Sequence, residues 1–482
     1  MDSDDRISLL LSWATSNGTT LHPSVQIYDD PTTGLSFRVS PSSSTTPIPP
    51  YAPIVSLPTN LSLSYLNALH PTPAFPKSFL AKSPPHVIGR LLLIKEFLRG
   101  PESFWHPYIQ ALPQPEDVDD WALPPLWPEE EAELLEGTNV EIGLDKIRED
   151  LGREFRDAQK LLLACNRDAE DDFSSLLTRE LYQWAYCIFS SRSFRPSLVL
   201  SPEQQQALPP GVSVNDFSVL LPVFDIGNHD MTVHVRWDVT QADSSAAAGG
   251  GDAPGARGSA VQLKVGREHK PGEQIFNNYS PKTNAELLLG YGFMLPITDS
   301  LHNDYIHPGS TSPDEYLISL RPISHPSSLL AASKQTLAVF PPGLLGAFTH
   351  VQHDMVWDIF LTLLQHSSVP LIKLIPLDKN TFPSEEEAVR QRQEKFFAGH
   401  VNDECRDFLD QTIAIIQHKV LQELERLNET DMEVVGEDAE LLSPNQRLAL
   451  EYRERCRMVL ENTLAAIGED EVMDDEEGSD TA

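Results

Sequence analysis

Two short stretches decide the fold, and the first of them is Leu221-Pro-Val-Phe-Asp-Ile-Gly-Asn-His-Asp230. Its apolar residues predict a buried strand. The strand would end in Asp225, Asn228 and His229, whose side chains bring hydrogen-bonding groups to the edge of a core. Functional sites tend to form at such edges, because a rigid scaffold holds the polar residues of the adjoining loop in position.

The second stretch is Gly272-Glu-Gln-Ile-Phe-Asn-Asn-Tyr-Ser-Pro-Lys-Thr-Asn-Ala-Glu-Leu-Leu-Leu-Gly-Tyr-Gly-Phe293. It predicts a turn at Gly272, a short strand leading to Tyr279, and a helix that Asn284 caps and Gly290 ends. One stretch supplies an Asn-His pair and the other supplies a tyrosine. We therefore expect the two stretches to meet in space and to build one site.

The spacing of apolar residues predicts the elements around these stretches. Alternation predicts two strands within 24–40 and a hairpin of 233–239 with 260–265, separated by a disordered Ala/Gly/Ser-rich insertion over 242–258. Helical spacing predicts helices over 86–98, 179–194, 329–339, 352–365, 385–397, 405–427 and 444–467. In the aromatic segment 103–113, Trp105 and Tyr108 are expected to be core packing.

Composition limits the classes of function and partner. A chain of 482 residues should hold two or three domains and can bury a large core. It carries 71 acidic against 36 basic residues, a formal net charge of -35. This charge argues against direct binding to a phosphate backbone, so we expect no nucleic-acid partner. A basic protein or peptide is the natural partner.

Several classes of protein are disfavoured by what the sequence lacks. Cys165, Cys187, Cys405 and Cys456 are widely spaced and form no CxxC pair, so we expect neither a metal site nor a disulfide framework. The first five residues carry no positive charge, and no apolar run approaches the roughly 18 residues of a membrane span. We therefore expect no membrane association and a cytoplasmic or nuclear location. The chain has no glycine-rich nucleotide loop, so a Rossmann-type enzyme is disfavoured.

The two stretches resemble a known family. The Asn228-His229 pair, the Gly272-Glu-Gln strand leading to Tyr279, and Asn284-Ala-Glu-Leu through Tyr291-Gly-Phe293 are similar to the SET-domain methyltransferases, in particular the Rubisco large-subunit methyltransferase subclass. The resemblance implies an α+β fold, in which a SET domain of small β-sheets is interrupted by a helical insertion and followed by an all-helical substrate-binding domain. The implied boundaries are 1–84 and 191–300 for the SET domain, 85–190 for the insertion, 301–467 for the helical domain and 468–482 for a disordered acidic tail.

The resemblance also implies the activity and its residues. The chain would be a monomeric protein-lysine N-methyltransferase that uses S-adenosyl-L-methionine and acts on a basic, non-histone protein such as a ribosomal protein or translation factor. Tyr279 would be the catalytic residue. The implied cofactor-binding residues are Arg38, Arg192, Asp225, Asn228, His229, Tyr291, Gly292 and Phe293. Among these, Arg192 would bind the donor's carboxylate, while Tyr291 and Phe293 would wall the adenine pocket.

One hairpin departs from the family pattern. The family carries a Gly-x-Gly turn that approaches the methyl donor, whereas this chain reads Gly34-Leu-Ser-Phe-Arg-Val39 and has Ser36 in place of the second glycine. A side chain there would block a close backbone approach. Arg38 matches a cofactor-contacting arginine, although a solvated strand arginine is an equal alternative. A SET fold kept as a binding module with weak or no catalysis therefore stays open.

Phe194 bears on the accepting side chain. It follows the implied donor-binding Arg192 by two residues, at a position that lines the acceptor channel in resembling enzymes. The histidine-methylating type carries an asparagine there, whose amide orients an imidazole. An aromatic ring suits the stem and ammonium of lysine instead, so lysine is predicted and histidine is the alternative. Plain core packing is the alternative for Phe194 itself.

Overall fold

The structure is a computed structural model. The structure describes residues 3–42, 46–69, 72–120, 123–165, 173–241, 259–307, 316–334, 346–367, 369–377, 384–431 and 441–477. The insertion predicted over 242–258 lies outside these residues. In the described part of the chain, no helix is both long enough and apolar enough to cross a membrane.

α-Helices form nearly half of the described chain. They are α1 (Ser3–Ser16), α2 (Lys77–Leu80), α3 (Pro85–Leu98), α4 (His106–Ala111), α5 (Glu129–Ala132), α6 (Glu141–Cys165), α7 (Phe173–Leu176), α8 (Arg179–Arg192), α9 (Pro202–Gln206), α10 (Asn284–Tyr291), α11 (Leu329–Lys334), α12 (His353–Gln365), α13 (Leu371–Leu374), α14 (Glu385–Phe397), α15 (Arg406–Glu429) and α16 (Pro444–Glu477).

The strands are short and build small antiparallel sheets. They are β1 (Thr20–Leu21), β2 (Val25–Asp30), β3 (Gly34–Val39), β4 (Pro53–Pro58), β5 (Leu63–Ser64), β6 (Ser193–Phe194), β7 (Val219–Leu220), β8 (Val235–Gln241), β9 (Ser259–Val265), β10 (Gln274–Ile275), β11 (Tyr305–Ile306) and β12 (Ile318–Ser319). The sheet orders are β1-β4-β9-β8, β10-β3-β2, β5-β7-β6 and β11-β12. Small sheets with many helices confirm the predicted α+β class.

The chain divides into two compact units, one of residues 1–122 and 148–280 and the other of 123–147 and 281–482. The first unit contains the sheets other than β11-β12. On β9, the side chains of Val261, Leu263 and Val265 are buried and alternate with half-buried neighbours. This alternation places one face of the sheet on a core, as the sequence predicted.

A polar cluster joins helices α3, α6 and α8 of the first unit. Glu154 accepts hydrogen bonds from Arg90 and Tyr182 and contacts Nε2 of His86 at 2.8 Å. Burial alone raises the pKa of the Glu154 carboxyl. The hydrogen bond with His86 and the charge of Arg90 outweigh burial and lower that pKa to about 2. The cluster therefore stabilises the helical packing behind the sheets.

In the second unit, buried arginines hold long helices together. Arg453 of α16 donates hydrogen bonds to the carbonyl oxygens of Leu134, Glu136 and Leu427. The last of these oxygens belongs to the final turn of α15, where helical carbonyls lack a partner within the helix. Arg453 thus caps one helix from another.

Three local predictions were wrong. The strand predicted within the first stretch does not form, since β7 ends at Leu220 and Phe224–Ile226 forms a 3-10 turn. Val223 has φ 69°, a left-handed conformation that is costly for a β-branched residue and ends the extended run. In the second stretch, Thr283 rather than Asn284 caps α10, in a capping box with Glu286. Gly292 rather than Gly290 ends this helix, with φ 77°.

The predicted domain boundaries stay predictions. The two compact units are defined by contacts in space, and each combines separate segments of the chain, so they do not test boundaries drawn along the sequence. Helix α16 continues to Glu477, ten residues into the tail predicted to start at 468. A helix that is already formed adds one hydrogen bond for each further residue, which favours such an extension.

Candidate active site

The two decisive stretches meet in the first compact unit. The backbone N–H of Asn277 donates to the Asn228 carbonyl at 2.7 Å, and that of Asp230 donates to the Asn277 carbonyl at 3.0 Å. A Cβ atom at Gly227 would lie 3.1 Å from the Cβ of Asn277, so glycine permits this close approach. The crossing therefore sets Tyr279 beside the Asn-His pair, as predicted.

Tyr279 is held from both ends. Its hydroxyl donates to the carbonyl oxygen of Gly227 at 2.9 Å, and its backbone N–H donates to Nδ1 of His229 at 3.0 Å. The rings of Tyr279 and His229 stack with centroids 4.9 Å apart. Because Nδ1 accepts a hydrogen bond, the neutral form of His229 carries its proton on Nε2. The hydrogen bond to Gly227 gives the hydroxyl a defined direction, and the tyrosine as a whole is half-buried.

Asn228 contacts the hairpin that departs from the family pattern. Its Nδ2 donates to Oγ of Ser36 at 2.6 Å and approaches the Leu35 carbonyl at 3.3 Å. Ser36 is fully buried, and its hydroxyl donates in turn to the Gly34 carbonyl at 2.8 Å. The serine side chain therefore points at the Asn-His segment and takes part in the site.

Asp225, Arg192 and Tyr108 form a second polar group. The hydroxyl of Tyr108 donates to Oδ2 of Asp225 at 2.9 Å, and Nη1 of Arg192 lies 3.7 Å from the same oxygen. Burial raises the pKa of Asp225, while the positive charge of Arg192 opposes that rise. Burial also holds the pKa of Tyr108 well above its ordinary value. Asp225 thus contacts Arg192 within the protein, and the half-buried guanidinium is the member that reaches the surface.

Phe194 belongs to an aromatic cluster. Its ring meets that of Phe224 edge to face at 5.3 Å and that of Trp237 at 5.9 Å. Trp237 donates from Nε1 to Oδ1 of Asn277 at 3.0 Å, which ties it to the segment carrying Tyr279. Phe194 and Trp237 are both half-buried, so the cluster has an accessible side.

Arg38 lies on the same hairpin as Ser36. Its guanidinium covers the ring of Tyr28 at 4.2 Å, and its Nε donates to Oε1 of Gln26 at 3.2 Å. These neighbours belong to the adjacent strand β2, as expected for a strand arginine at a sheet surface. A cofactor contact for Arg38 stays a prediction.

The remaining predicted site residues lie in the second compact unit. Tyr291 is the last residue of α10, and its ring meets that of Phe293 at 6.3 Å. Lys282 places its Nζ 5.6 Å from the centroid of Tyr291. Gly292 supplies the left-handed residue between the two rings. Their role in an adenine pocket stays a prediction.

Known structures share the fold of this chain. A crystal structure of the SET domain of Rubisco large-subunit methyltransferase, bound to lysine and S-adenosylhomocysteine, matches 97% of this chain and 92% of its own with a TM-score of 0.57 and 19% identity. The same enzyme bound to S-adenosylmethionine matches equal shares with a TM-score of 0.54 and 18% identity. This chain has a SET fold of the Rubisco methyltransferase type. At this level of identity the likeness concerns the fold.

Curated proteins with similar sequences are lysine methyltransferases. The SET-fold chain is 27% identical over 287 residues to the ribosomal lysine N-methyltransferase set10 of Schizosaccharomyces pombe, covering 60% of this chain and 45% of that protein. It is 31% identical over 211 residues to the chloroplastic fructose-bisphosphate aldolase-lysine N-methyltransferase of Arabidopsis thaliana, covering 44% of this chain and 37% of that protein. The chain spans less than half the length of these relatives. No protein-family model matches it.

Sequence reasoning missed three members of the SET-fold site. Tyr108 was expected to be packing alone, although its hydroxyl contacts Asp225. Trp237 was treated as part of a hairpin, although its ring lies against Phe194. Trp237 is the one aromatic residue among the smaller residues of β8, and this was the signal in the sequence that could have pointed to it. Ser36 was expected to obstruct the site, and no pattern in one sequence shows which group its hydroxyl contacts.

Proposed function

We propose that this chain is a protein-lysine N-methyltransferase that uses S-adenosylmethionine. The observation that carries the proposal is the position of Tyr279, whose hydroxyl is held at the Gly227 carbonyl next to the Asn228-His229 pair. The solved examples of this fold carry S-adenosylmethionine or S-adenosylhomocysteine, and the curated relatives are named lysine methyltransferases. Both facts support the same reaction.

The first compact unit offers groups that fit the zwitterionic amino-acid end of such a donor. Arg192 carries a half-buried guanidinium, whose planar fork suits a carboxylate. Asp225 holds that guanidinium from the buried side, and Asn228 supplies a half-buried carboxamide. This donor set has the charge and hydrogen-bonding capacity that an amino acid requires.

The donor supplies an electrophilic methyl group, and the protein supplies position and surroundings. Transfer to an amine is an in-line displacement, for which alignment and exclusion of water provide much of the rate. Tyr279 presents a fixed hydroxyl, since its ring stacks on His229 and its backbone is tied to the same histidine. The accepting lysine must be neutral, and an apolar channel favours that state by lowering its pKa.

The aromatic cluster favours lysine as the acceptor. Phe194 and Trp237 offer ring faces and edges to the aliphatic stem of a lysine, and a ring face attracts an ammonium group. Phe194 has no polar atom that would orient an imidazole. A histidine acceptor is therefore the second candidate, and it would need a different orienting group.

The substrate we propose is a basic, non-histone protein such as a ribosomal protein or translation factor. A formal charge of -35 attracts basic partners, and set10 is named for ribosomal lysine methylation. We further propose a monomeric enzyme in the cytoplasm or nucleus. Light scattering of the purified chain and imaging of a fluorescent fusion test these two points.

Calorimetry with S-adenosylmethionine, followed by methyl transfer to a cell extract, tests the function. The purified chain should bind the donor, and donor labelled on the methyl group should mark protein lysine after hydrolysis and amino-acid analysis. Absence of donor binding would favour the binding-module alternative. Label on histidine with none on lysine would replace lysine as the acceptor.

A further inference from the structure

The Ser36 hydroxyl is a meeting point of hydrogen bonds in the first compact unit. It donates to the Gly34 carbonyl at 2.8 Å and accepts from Nδ2 of Asn228 at 2.6 Å and from Nε2 of Gln274 at 3.1 Å. A hydroxyl has one proton and two acceptor positions. The Thr33 hydroxyl is a fourth neighbour at 3.0 Å. Because the Gly34 carbonyl can only accept, the Ser36 proton points to it and the Ser36 oxygen accepts from the Asn228 nitrogen.

The same bonds determine the orientation of the Asn228 carboxamide. Its nitrogen faces the Ser36 hydroxyl and also the Leu35 carbonyl, which lies 3.3 Å away and can only accept. Turning the amide over would set its oxygen against two acceptors. The oxygen Oδ1 therefore points away from the hairpin, and Asn228 is half-buried rather than enclosed.

The backbone at residue 36 does not require glycine. Ser36 lies within β3, paired with Tyr28 of β2, and the left-handed residue of the hairpin is Gly34 with φ 69°. Serine is thus accommodated without backbone strain. Its fully buried side chain is held by polar partners, so the substitution in the family pattern adds a contact to the site.

We infer that Ser36 is a positioning residue of the donor site, which fixes Asn228 with its acceptor oxygen toward the ligand. This inference rests on the proposed function. A fixed oxygen at this position accepts from a protonated amine, the group that S-adenosylmethionine and S-adenosylhomocysteine both carry on their amino-acid end. The hydroxyl would therefore favour ligands with that amine over the same nucleosides without it.

Calorimetry with S-adenosylhomocysteine and with its deaminated analogue tests this role. The wild type should bind the amine-bearing ligand more tightly. Ser36→Ala should reduce that preference roughly three- to tenfold, the effect of one hydrogen bond, because the carboxamide loses its strongest orienting contact. Affinity for the deaminated analogue should change little. Ser24→Ala is the matched control, since Ser24 is a buried serine that precedes β2 in the same unit.

Other variants and outcomes keep the test decisive. Ser36→Gly also removes the hydroxyl and serves if Ser36→Ala does not fold, while Ser36→Thr keeps a hydroxyl and should keep the preference. An unchanged preference in folded Ser36→Ala overturns the inference and leaves the proposed function standing. Equal loss for both ligands also overturns it, because a merely structural role would produce that result. If the wild type binds neither ligand, the proposed function and the inference fail together.

Discussion

Arg192 in the first compact unit and Arg453 in the second face different surroundings. The side chain of Arg453 is 3% exposed and donates to three backbone carbonyls. The side chain of Arg192 is 24% exposed and lies 3.7 Å from its carboxylate neighbour Asp225, beyond ordinary hydrogen-bond length. The difference indicates that Arg453 stabilises the fold. Arg192 has Asp225 as its charged neighbour, and its partly exposed guanidinium keeps N–H groups that can bind a ligand.

The largest effect should come from Arg453→Met. The variant leaves buried carbonyl oxygens without their donor, so we expect the free energy of unfolding to fall by about 3 kcal/mol or more. Urea unfolding followed by circular dichroism measures it. Arg390→Met is the control, because Arg390 is an exposed helical arginine paired with Glu387. Equal stability of the two variants would remove the structural role given to Arg453.

Tyr279→Phe should separate catalysis from binding in the first unit. We expect kcat to fall about 100-fold or more, with the Kd of S-adenosylmethionine within about twofold, because the hydroxyl acts near the transition state. Single-turnover methyl transfer and calorimetry measure the two quantities. Tyr51→Phe is the control, since Tyr51 is exposed. If Tyr279→Phe turned over at the wild-type rate, Tyr279 would not be the catalytic residue.

Arg192→Met should affect ligand binding more than stability. A hydrogen bond to a charged group is worth about 1.5–3 kcal/mol, so donor affinity should fall roughly tenfold or more. The loss in unfolding free energy should be smaller than for Arg453→Met. Arg195→Met, at an exposed position three residues further on, provides the matched control. Calorimetry that finds wild-type affinity in Arg192→Met would contradict the contrast between the two arginines.

Acid should weaken the second unit through His302. Burial, followed by the charge of Arg321, lowers the pKa of this histidine from 6.5 to about 4 in the folded state. A folded-state pKa below the unfolded value means that the stability is present above about pH 6.5 and is lost as pH falls toward 4. We expect wild type to lose about 2 kcal/mol more than His302→Gln over this range. Urea unfolding between these pH values measures the difference, and His234→Gln, at an exposed histidine, should behave as wild type.

The smallest effect should be electrostatic steering of the substrate. The initial rate on a basic protein substrate should fall a few-fold between about 50 and 300 mM salt, because ions screen the attraction over a shorter distance as their concentration rises. The rate on a short neutral peptide carrying the same lysine provides the control. Equal salt dependence for both substrates would show that the negative charge of the chain does not help to recruit the substrate.

The sequence predicted the position of the site more reliably than its contacts. The meeting of Asn228-His229 with the segment of Tyr279 was confirmed. In both stretches polar residues directly follow a short apolar run, which brings them to the edge of a core. The strand expected before Asp225 was wrong, since Val223 adopts a conformation that β-branched residues rarely take. The cap of α10 shifted by one residue because Thr283 and Glu286 bond reciprocally, which the nearby asparagine had obscured.

The sequence by itself indicated several long helices, the hairpins and the two stretches of the candidate site, because these follow from periodicity and from residue types close in the chain. The α+β class came from the resemblance of those two stretches to the SET-domain methyltransferases. Only the tertiary structure decided that Ser36 contacts Asn228, that Tyr108 contacts Asp225 and that Trp237 lies against Phe194. Each pair joins residues more than 40 positions apart. Such contacts depend on how sheets and helices pack, and the direction of one buried hydroxyl is set by all the groups around it rather than by its neighbours in sequence.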